Sequence, residues 1–258
     1  MSQHGICNLS VIPLMSEPSH RSEVVSQILF GEHFSCLEER GDWTQIQTEP
    51  DHYKGWVLTS QYEKILITEF QELCKSNVLT AFDLIQVVEI NGQFTTIVFG
   101  SNLPSLTSGR GKIAGTEYTF DGEARNTSEK NGSKMIVENA LMYLNAPYQW
   151  GGRSPFGIDC SGLTQMVYKM SGINLKRDSS LQAEQGKDIH LLDETHAGDL
   201  AFFDNEEGNI NHVGILLSPD RIIHASGKVR IDNIDQYGIY REGNKKYSHK
   251  LRMIKRML

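Results

Sequence analysis

The chain has 258 residues, a formal net charge of −7 and 39% hydrophobic residues. This length allows one large or two modest domains with a real core, and the composition excludes collagen-like and wholly disordered chains. The acidic balance argues against sequence-independent nucleic-acid binding, which depends on an excess of Lys and Arg.

The cellular compartment is suggested by the absence of two kinds of segment. No uncharged apolar run reaches the roughly 18 residues that a membrane helix needs. The N-terminus lacks the basic start and continuous apolar stretch of a signal peptide, so we expect a cytoplasmic protein without a membrane span. The four cysteines, Cys7, Cys36, Cys74 and Cys160, form no CxxC pair. We therefore expect reduced thiols rather than a structural zinc site.

The first 75 residues form a distinct acidic segment with five basic and 11 acidic side chains. Short β-like runs at 24–30, 34–37, 43–47 and 55–57 alternate with Gly- and Asp-containing turns. Such closely spaced strands are typical of a small β-barrel. Residues 76–125 continue this pattern, and Asn91-Gly92 between the apolar runs 85–90 and 94–99 predicts a β-hairpin.

The pattern changes near residue 130, where helical spacing of apolar residues begins. We predict a helix over 133–144, a second helix that starts at Cys160 and ends at Gly172, and a short third helix after Asp178. Strands are predicted over 199–203, 212–217 and 221–225, and a solvated basic strand over 245–256. Helices followed by an antiparallel sheet indicate an α+β class, with helices packed on the sheet.

Three side chains in this second half have the chemistry of a cysteine nucleophile and its base. Cys160 lies in the first turn of a predicted helix, where unpaired amides and the helix dipole favour a thiolate. His212 begins one strand and His224 lies on the next, so antiparallel pairing brings them within reach of each other. Taken singly, each has a simpler interpretation as an ordinary buried residue. Zinc coordination by the same set is an alternative, although its spacing lacks the closeness of preorganised sites.

Five short motifs follow one another in the second half of the chain: PYQWGGR (147–153), DCSGL (159–163), AGDLAFF (197–203), HVGI (212–215) and IHA (223–225). In this order they are similar to the signature of the NlpC family of papain-like bacterial cell-wall cysteine peptidases. The resemblance covers about residues 130–258. It implies a papain-like catalytic domain over 126–258, with Cys160 as nucleophile, His212 as general base and His224 as the residue that orients the base.

The same resemblance implies a set of substrate-binding residues around the nucleophile. Tyr148 matches a tyrosine that lines the active site in this group. Asp159 and Ser161 match residues that help hold the substrate's free N-terminal L-Ala and its neighbour. Backbone N–H groups near the nucleophile would form the oxyanion hole.

The front of the chain resembles a bacterial SH3-like domain over 1–75, followed by a second, partial SH3-like or β-rich linker region over 76–125. Such a module either binds cell-wall polymer or closes one end of the cleft and supplies acidic groups for the substrate amine. Glu17 and Tyr53 are our candidates for the second role. Their simpler interpretations are a surface carboxylate and an aromatic side chain packed at a turn.

The combination resembles the γ-D-glutamyl-L-diamino acid endopeptidases that cut murein peptides. We therefore expect a monomeric cysteine endopeptidase that needs no metal or cofactor. Its substrates would be murein tri- or tetrapeptides with a free N-terminal L-Ala, and it would release L-Ala-γ-D-Glu. The alternatives are a non-catalytic cell-wall binding protein and an acyl-transferring relative of the same fold.

Overall fold

The structure, a computed structural model, describes residues 3–49, 51–127, 132–243 and 245–258. The chain forms two compact units, Met1–Ser128 and Glu129–Leu258. Among the described residues, no helix combines the length and the apolar character needed to cross a membrane.

The first unit begins with a seven-stranded antiparallel sheet. Its strands are β1 (Gln3–Ile6), β2 (Val11–Met15), β3 (Val24–Leu29), β4 (His33–Arg40), β5 (Trp43–Thr48), β6 (Lys54–Leu58) and β7 (Glu63–Ile65). They pair in the order β3-β2-β6-β5-β4-β1-β7. Alternate residues of these strands point inward, so Leu14, Ile28, Phe34 and Ile46 share one buried cluster. The four strands predicted in this segment are confirmed.

The rest of the first unit consists of one helix and two small sheets. They are α1 (Ile67–Lys75), β8 (Leu79–Ala81), β9 (Ile85–Ile90), β10 (Gln93–Val98), β11 (Asn102–Leu103), β12 (Arg110–Ile113), β13 (Thr116–Thr119) and β14 (Ala124–Asn126). The sheets have the orders β10-β9-β13-β12 and β11-β8-β14. The predicted hairpin is confirmed, because Ile90 pairs with Gln93 and the Asn91-Gly92 turn between them has positive φ at both residues. Helix α1 was not predicted, and only Leu73 of its residues is buried.

The second unit contains three α-helices, one short 3-10 helix and nine strands among its described residues. The helices are α2 (Ser133–Met142), α3 (Cys160–Lys169) and α4 (Ser179–Gln182). The strands are β15 (Arg153–Ser154), β16 (Gly157–Ile158), β17 (Lys187–Ile189), β18 (Leu200–Asp204), β19 (Ile210–Ser218), β20 (Arg221–Ser226), β21 (Lys228–Asp235), β22 (Gly238–Arg241) and β23 (Lys246–Arg256). All three predicted helices and the four predicted strands are confirmed, whereas β21 and β22 were not predicted.

The expected α+β architecture is only partly right, because this unit is dominated by its sheet. β23 pairs with β18 on one side and with β22 on the other, so β18 to β23 close into a six-stranded antiparallel barrel. The closure is feasible because β23 is 11 residues long, and register irregularities in both of its pairings let it turn. Helix α4 is a single turn, and α3 packs against β19 and β20.

Gly238 stands where the barrel closes, and its backbone suits no other residue. Its φ is +139°, and an added Cβ would lie 1.9 Å from the carbonyl oxygen of His249. Gly238→Ala should therefore strain the β22–β23 pairing and lower the free energy of unfolding by about 1–3 kcal/mol or more, measured by urea denaturation. Gly243→Ala is the matched control on the same hairpin, because no atom lies within 4 Å of its added Cβ. Equal stability of the two variants would contradict this account of the closure.

Candidate active site

Cys160 is the first residue of α3, and the residue before it caps the helix. The side chain of Asp159 accepts the backbone N–H of Gly162 at 2.6 Å, an N-cap bond that satisfies one of the free amides of the first turn. Gly162 also allows a close approach, since an added Cβ would lie 2.2 Å from the carbonyl oxygen of Gly152. The loop that precedes α3 is thereby held directly against its N-terminus.

The carboxylate of Asp159 is buried and saturated with donors. Besides the cap, it accepts the N–H of Gly151 at 2.8 Å and two bonds from Arg177, at 3.1 and 2.6 Å. The Arg177 guanidinium, itself only 2% exposed, also donates to Ser161 Oγ at 2.8 Å. Two charges taken out of water in this way are stable only when paired and fully hydrogen-bonded, as they are here.

A second layer of buried hydrogen bonds keeps Arg177 in place. Gln182 on α4 donates to the carbonyl of Ser161 at 3.0 Å and to that of Lys176 at 2.8 Å. Its amide oxygen accepts a bond from Thr164 of α3 at 2.7 Å. The short helix α4 thus links the residue before Arg177 to the first turn of α3.

His212, His224 and Asp232 form a hydrogen-bonded line across three neighbouring strands. His212 Nε2 lies 2.8 Å from His224 Nδ1, and His224 Nε2 lies 3.0 Å from Asp232 Oδ2. The register pairs Gly214 with His224 and Ile222 with Asp232, so each partner in the line is offset diagonally by two residues on one face. This arrangement can hold the His212 ring and compensate a positive charge that develops on it.

The thiol and this line of residues meet at the start of β19. The Cys160 sulfur accepts hydrogen bonds from the backbone N–H groups of Ser161 and of Val213, the residue that follows His212. Helix α3 therefore presents the Cys160 thiol to the strand that carries His212. Donors at this position can also stabilise negative charge on an atom bound near the sulfur.

Burial keeps the thiol and the imidazoles neutral. It raises the pKa of Cys160 to about 12, with the Asp159 charge adding to the effect and the backbone donors opposing it. It lowers the pKa of His212 well below the usual value, helped by the positive charge that His249 and His224 would carry. The expectation of a thiolate at the helix N-terminus is therefore wrong for the free protein, because desolvation and the Asp159 charge outweigh the backbone donors and the Arg177 charge, which lower the pKa.

His224 and Asp232 form a coupled pair at the end of the line. Burial lowers the pKa of His224, while the hydrogen bond and charge of Asp232 oppose that shift. Burial also raises the pKa of Asp232, but hydrogen bonds from His224 and Arg230 outweigh it and hold the value at about 2. The carboxylate is thus ionised at neutral pH and available to orient a neutral imidazole.

His249 of β23 belongs to the same cluster, although the sequence analysis did not select it. Its ring stacks on that of His212 with centroids 4.0 Å apart and planes 20° apart. One ligand atom from each of His212, His224 and His249 lies within 4.8 Å of the others. Imidazole lone pairs lie in the ring plane, so two stacked rings do not point at one ion. The geometry of these three rings is that of hydrogen-bonded and stacked side chains. Cys160, which the zinc alternative included, is not a member of this group.

A cavity of about 250 Å³ opens beside the histidines. Its lining residues are Tyr148, Asn211, His212, Ala225, Ser226, Gly227 and His249. Tyr148 is half-buried, its N–H donates to the carbonyl of Gly227 at 3.1 Å, and burial raises the pKa of its hydroxyl to about 12. Of the predicted site residues, His212 and Tyr148 line this cavity. His224 is linked to it through its hydrogen bond to His212, and Cys160 through Val213, the residue that follows His212.

Glu17 and Tyr53 lie in the first unit, and their part in a substrate site stays a prediction. Glu17 is exposed in the turn after β2, where its carbonyl accepts a bond from Ser22 at 2.9 Å. Tyr53 is half-buried and packs against the cluster that contains Phe34 and Ile46.

Sequence reasoning missed Asp232, His249 and Arg177, which the fold brings to the site from separate parts of the chain. Asp232 lies on β21, which forms a hairpin with β20, whereas His249 lies on β23, whose pairing with β18 is long-range. No local pattern in the sequence marks either residue. A weak signal existed for Arg177, since it directly precedes the Asp178 that was selected as a helix start.

Comparison with known proteins agrees with this description. The NlpC/P60 family pattern matches residues 145–248, and the pattern of the bacterial dipeptidyl-peptidase SH3 domain matches residues 14–61. The chain is 30% identical over 219 residues to the γ-D-glutamyl-L-lysine dipeptidyl-peptidase of Bacillus subtilis, covering 78% of this chain and 72% of that protein. It is 28% identical over 255 residues to dipeptidyl-peptidase 6 of Lysinibacillus sphaericus, covering 89% and 91%.

Among solved structures, the chain is similar to an NlpC/P60 family protein from Bacillus cereus. The TM-score is 0.84 at 20% sequence identity, and the match covers 99% of each chain. At this identity the likeness shows a shared fold.

The buried Arg177–Asp159 pair offers a direct stability test. Arg177→Met should leave the Asp159 carboxylate buried without its cation and lower the free energy of unfolding by about 3–5 kcal/mol, measured by urea denaturation. Lys134→Met is the control, because its ion pair with Glu138 is exposed and should contribute about 1 kcal/mol or less. A loss in Arg177→Met no larger than in the control would refute the stabilising role of this pair.

Proposed function

The chain belongs to the NlpC/P60 family, and on this basis we propose that it is a cysteine peptidase that hydrolyses peptides of peptidoglycan. The observation that carries the proposal is the line His212–His224–Asp232, which ends beside a cysteine at a helix N-terminus. A nucleophile, a base and a group that orients the base are the components of covalent acyl transfer.

The proposed reaction starts from the neutral thiol and neutral imidazole. As the Cys160 sulfur attacks the carbonyl carbon of the scissile bond, its proton passes to His212. The carbonyl oxygen becomes an oxyanion, which backbone N–H groups at the start of α3 stabilise. His212 then gives the proton to the departing amine, and a thioester remains on Cys160.

Hydrolysis of the thioester uses the same base with water as the nucleophile. Water lies on the side that the amine has left, and His212 removes its proton as the oxygen attacks the thioester carbon. Collapse of the intermediate releases the carboxylic acid product and returns the proton to the sulfur. His224 and Asp232 do not touch the reacting atoms in this scheme. They hold the tautomer and orientation of His212 and compensate its transient charge.

We further propose that the scissile bond joins γ-D-Glu to an L-diamino acid in murein tri- or tetrapeptides, with L-Ala-γ-D-Glu as product. The relative from Bacillus subtilis is named a γ-D-glutamyl-L-lysine dipeptidyl-peptidase, and the match to it spans most of both chains. The pattern matched at residues 14–61 is that of a dipeptidyl-peptidase SH3 domain. A cytoplasmic location, with imported murein peptides as substrates, completes the proposal.

The amine of a free N-terminal L-Ala needs a carboxylate in a site of this kind, because a buried ammonium without one is unstable. Asp159 already accepts donors from Gly151, Gly162 and Arg177, so its charge is shared before substrate arrives. We therefore propose that the acidic front segment also contributes to this subsite, with Glu17 and Tyr53 as the candidate residues.

The free amine gives the sharpest test of this specificity. The full chain should cleave L-Ala-γ-D-Glu-diaminopimelate and reject the N-acetylated peptide, because a neutral amide leaves the subsite carboxylates unpaired. Chromatography of the products measures both rates. Cys160→Ala should abolish turnover of the free peptide while the protein keeps its thermal midpoint. Glu17→Gln should weaken the discrimination between the two peptides.

Three other outcomes would contradict parts of the proposal. Equal cleavage of both peptides would remove the amine subsite and return the front segment to a plain binding role. Activity that survives Cys160→Ala but disappears with a chelator would establish the metal alternative. Binding of cell-wall fragments with no cleavage by the wild type would establish the non-catalytic alternative.

The pH profile follows from the histidine pKa values. His212 acts as a base only when neutral, and burial lowers its pKa, so it stays neutral at a pH where a free imidazole is protonated. The acid limb of kcat/KM should therefore lie below about pH 6.5, the ordinary histidine value. Asp232→Asn should reduce kcat across the whole profile, because it removes the group that orients His224. An acid limb at or above about pH 6.5 would show that the neutral pair is not the active form.

A further inference from the structure

Arg241, the last residue of β22, contacts a residue that lines the cavity beside the histidine cluster. Its Nη2 donates to Ser226 Oγ at 2.6 Å, and Ser226 lines that cavity together with His212 and His249. The electrostatic influence of Arg241 extends over the cluster, because its positive charge contributes to the lowered pKa of His212, His224 and His249. A guanidinium therefore stands at the edge of the reaction centre.

This guanidinium is only partly satisfied by the protein. Within the described residues it forms no ion pair, and its buried Nε has no hydrogen-bond partner. The neighbouring carboxylate of Asp232 is already engaged, at 2.7 Å from Arg230 Nε and 3.0 Å from His224 Nε2. By contrast, Arg177 and Arg256 each pair with a buried aspartate. A half-buried cation with an unused donor has the chemistry to bind an anionic group of a ligand, and a carboxylate fits its planar fork.

The position of the cavity indicates which part of the substrate would supply that group. Its described lining includes His212, the residue that protonates the departing amine, but not Cys160, Asp159 or Ser161. The leaving residue is therefore the part of the substrate next to Arg241. In a tripeptide that ends with the diamino acid, that residue carries a main-chain carboxylate close to the departing nitrogen. Diaminopimelate carries another carboxylate on its side chain, in tripeptides and tetrapeptides alike.

We propose that Arg241, supported by Ser226, forms a carboxylate-binding subsite for the diamino acid on the leaving side of the scissile bond. The inference rests on the proposed function. It makes the enzyme selective for a free carboxylate on the leaving residue, and so for trimmed peptides over longer or amidated ones. Arg241 acts by binding substrate and takes no part in proton transfer.

Three peptides separate the sources of the carboxylate: L-Ala-γ-D-Glu-L-Lys, its C-terminal amide, and L-Ala-γ-D-Glu-diaminopimelate amidated only at the main chain. Wild type should favour the free lysine peptide over its amide by about 10- to 100-fold in kcat/KM, the range of one charge-assisted hydrogen-bonded contact. If the side-chain carboxylate also reaches Arg241, the third peptide will be cleaved like the first. If only the main-chain group does, it will be cleaved like the second.

Arg241→Gln should abolish this preference mainly through KM, and Arg241→Lys should keep part of it. Arg221→Gln is the charge-matched control, because this exposed residue bonds only Asn233 at 3.3 Å among its described contacts. A change in histidine pKa caused by the lost charge would alter all peptides equally, so the ratio between peptides isolates binding. Thermal midpoints of all variants show whether they are folded.

Equal cleavage of the free and amidated lysine peptides by wild type would overturn this inference and leave the proposed function standing, even if Arg241→Gln fails to fold. A preference that survives in folded Arg241→Gln would also overturn it. If wild type cleaves none of the three peptides, the proposed function itself fails, and the subsite fails with it.

Discussion

The carboxylate of Asp159 is the point on which the second unit depends. It caps α3, accepts the amide of Gly151 in the preceding loop, and pairs with a guanidinium that is itself buried. One side chain thereby fixes the start of α3, holds the preceding loop against it and anchors the segment that contains Arg177. Cys160 follows directly in the chain, so its position at the first turn of α3 results from the same set of bonds. A carboxylate used so fully for structure has little capacity left for a ligand.

Strand register places the remaining chemistry. Side chains on one face of a sheet recur every second residue, and diagonal neighbours on adjacent strands approach each other. The offsets between β19, β20 and β21 put His212, His224 and Asp232 on one such diagonal. Closure of the barrel by β23 then brings His249 onto the ring of His212, and β22 carries Arg241 to the same end.

Burial gives this cluster its electrostatic character. Thiol and imidazoles are held neutral by desolvation, while the ionised groups around them are the paired Asp159 and Asp232 and the cation of Arg241. In the proposed reaction the Cys160 thiol transfers its proton to His212 only as the sulfur attacks the substrate. The free protein therefore needs no thiolate–imidazolium ion pair. The surrounding fixed charges then act on the substrate and on the transient imidazolium, and these are the places where charge develops in the proposed reaction.

The sequence alone determined the parts of the site that local chemistry specifies. The DCSGL motif marked a helix that begins at Cys160, apolar runs marked the strands of His212 and His224, and Asn91-Gly92 marked a two-residue hairpin. Each signal lies within a few consecutive residues. Asp232 and Arg241 had no such signal although they lie on hairpin strands, because the register of those strands decides which polar side chain meets His224 or Ser226. His249 meets His212 through the long-range pairing of β23 with β18. Closure of the sheet into a barrel likewise depends on tertiary structure. So does the burial that raises the pKa of Cys160 and keeps its thiol protonated. Desolvation and barrel geometry depend on what surrounds a residue in space, and a local pattern does not record it.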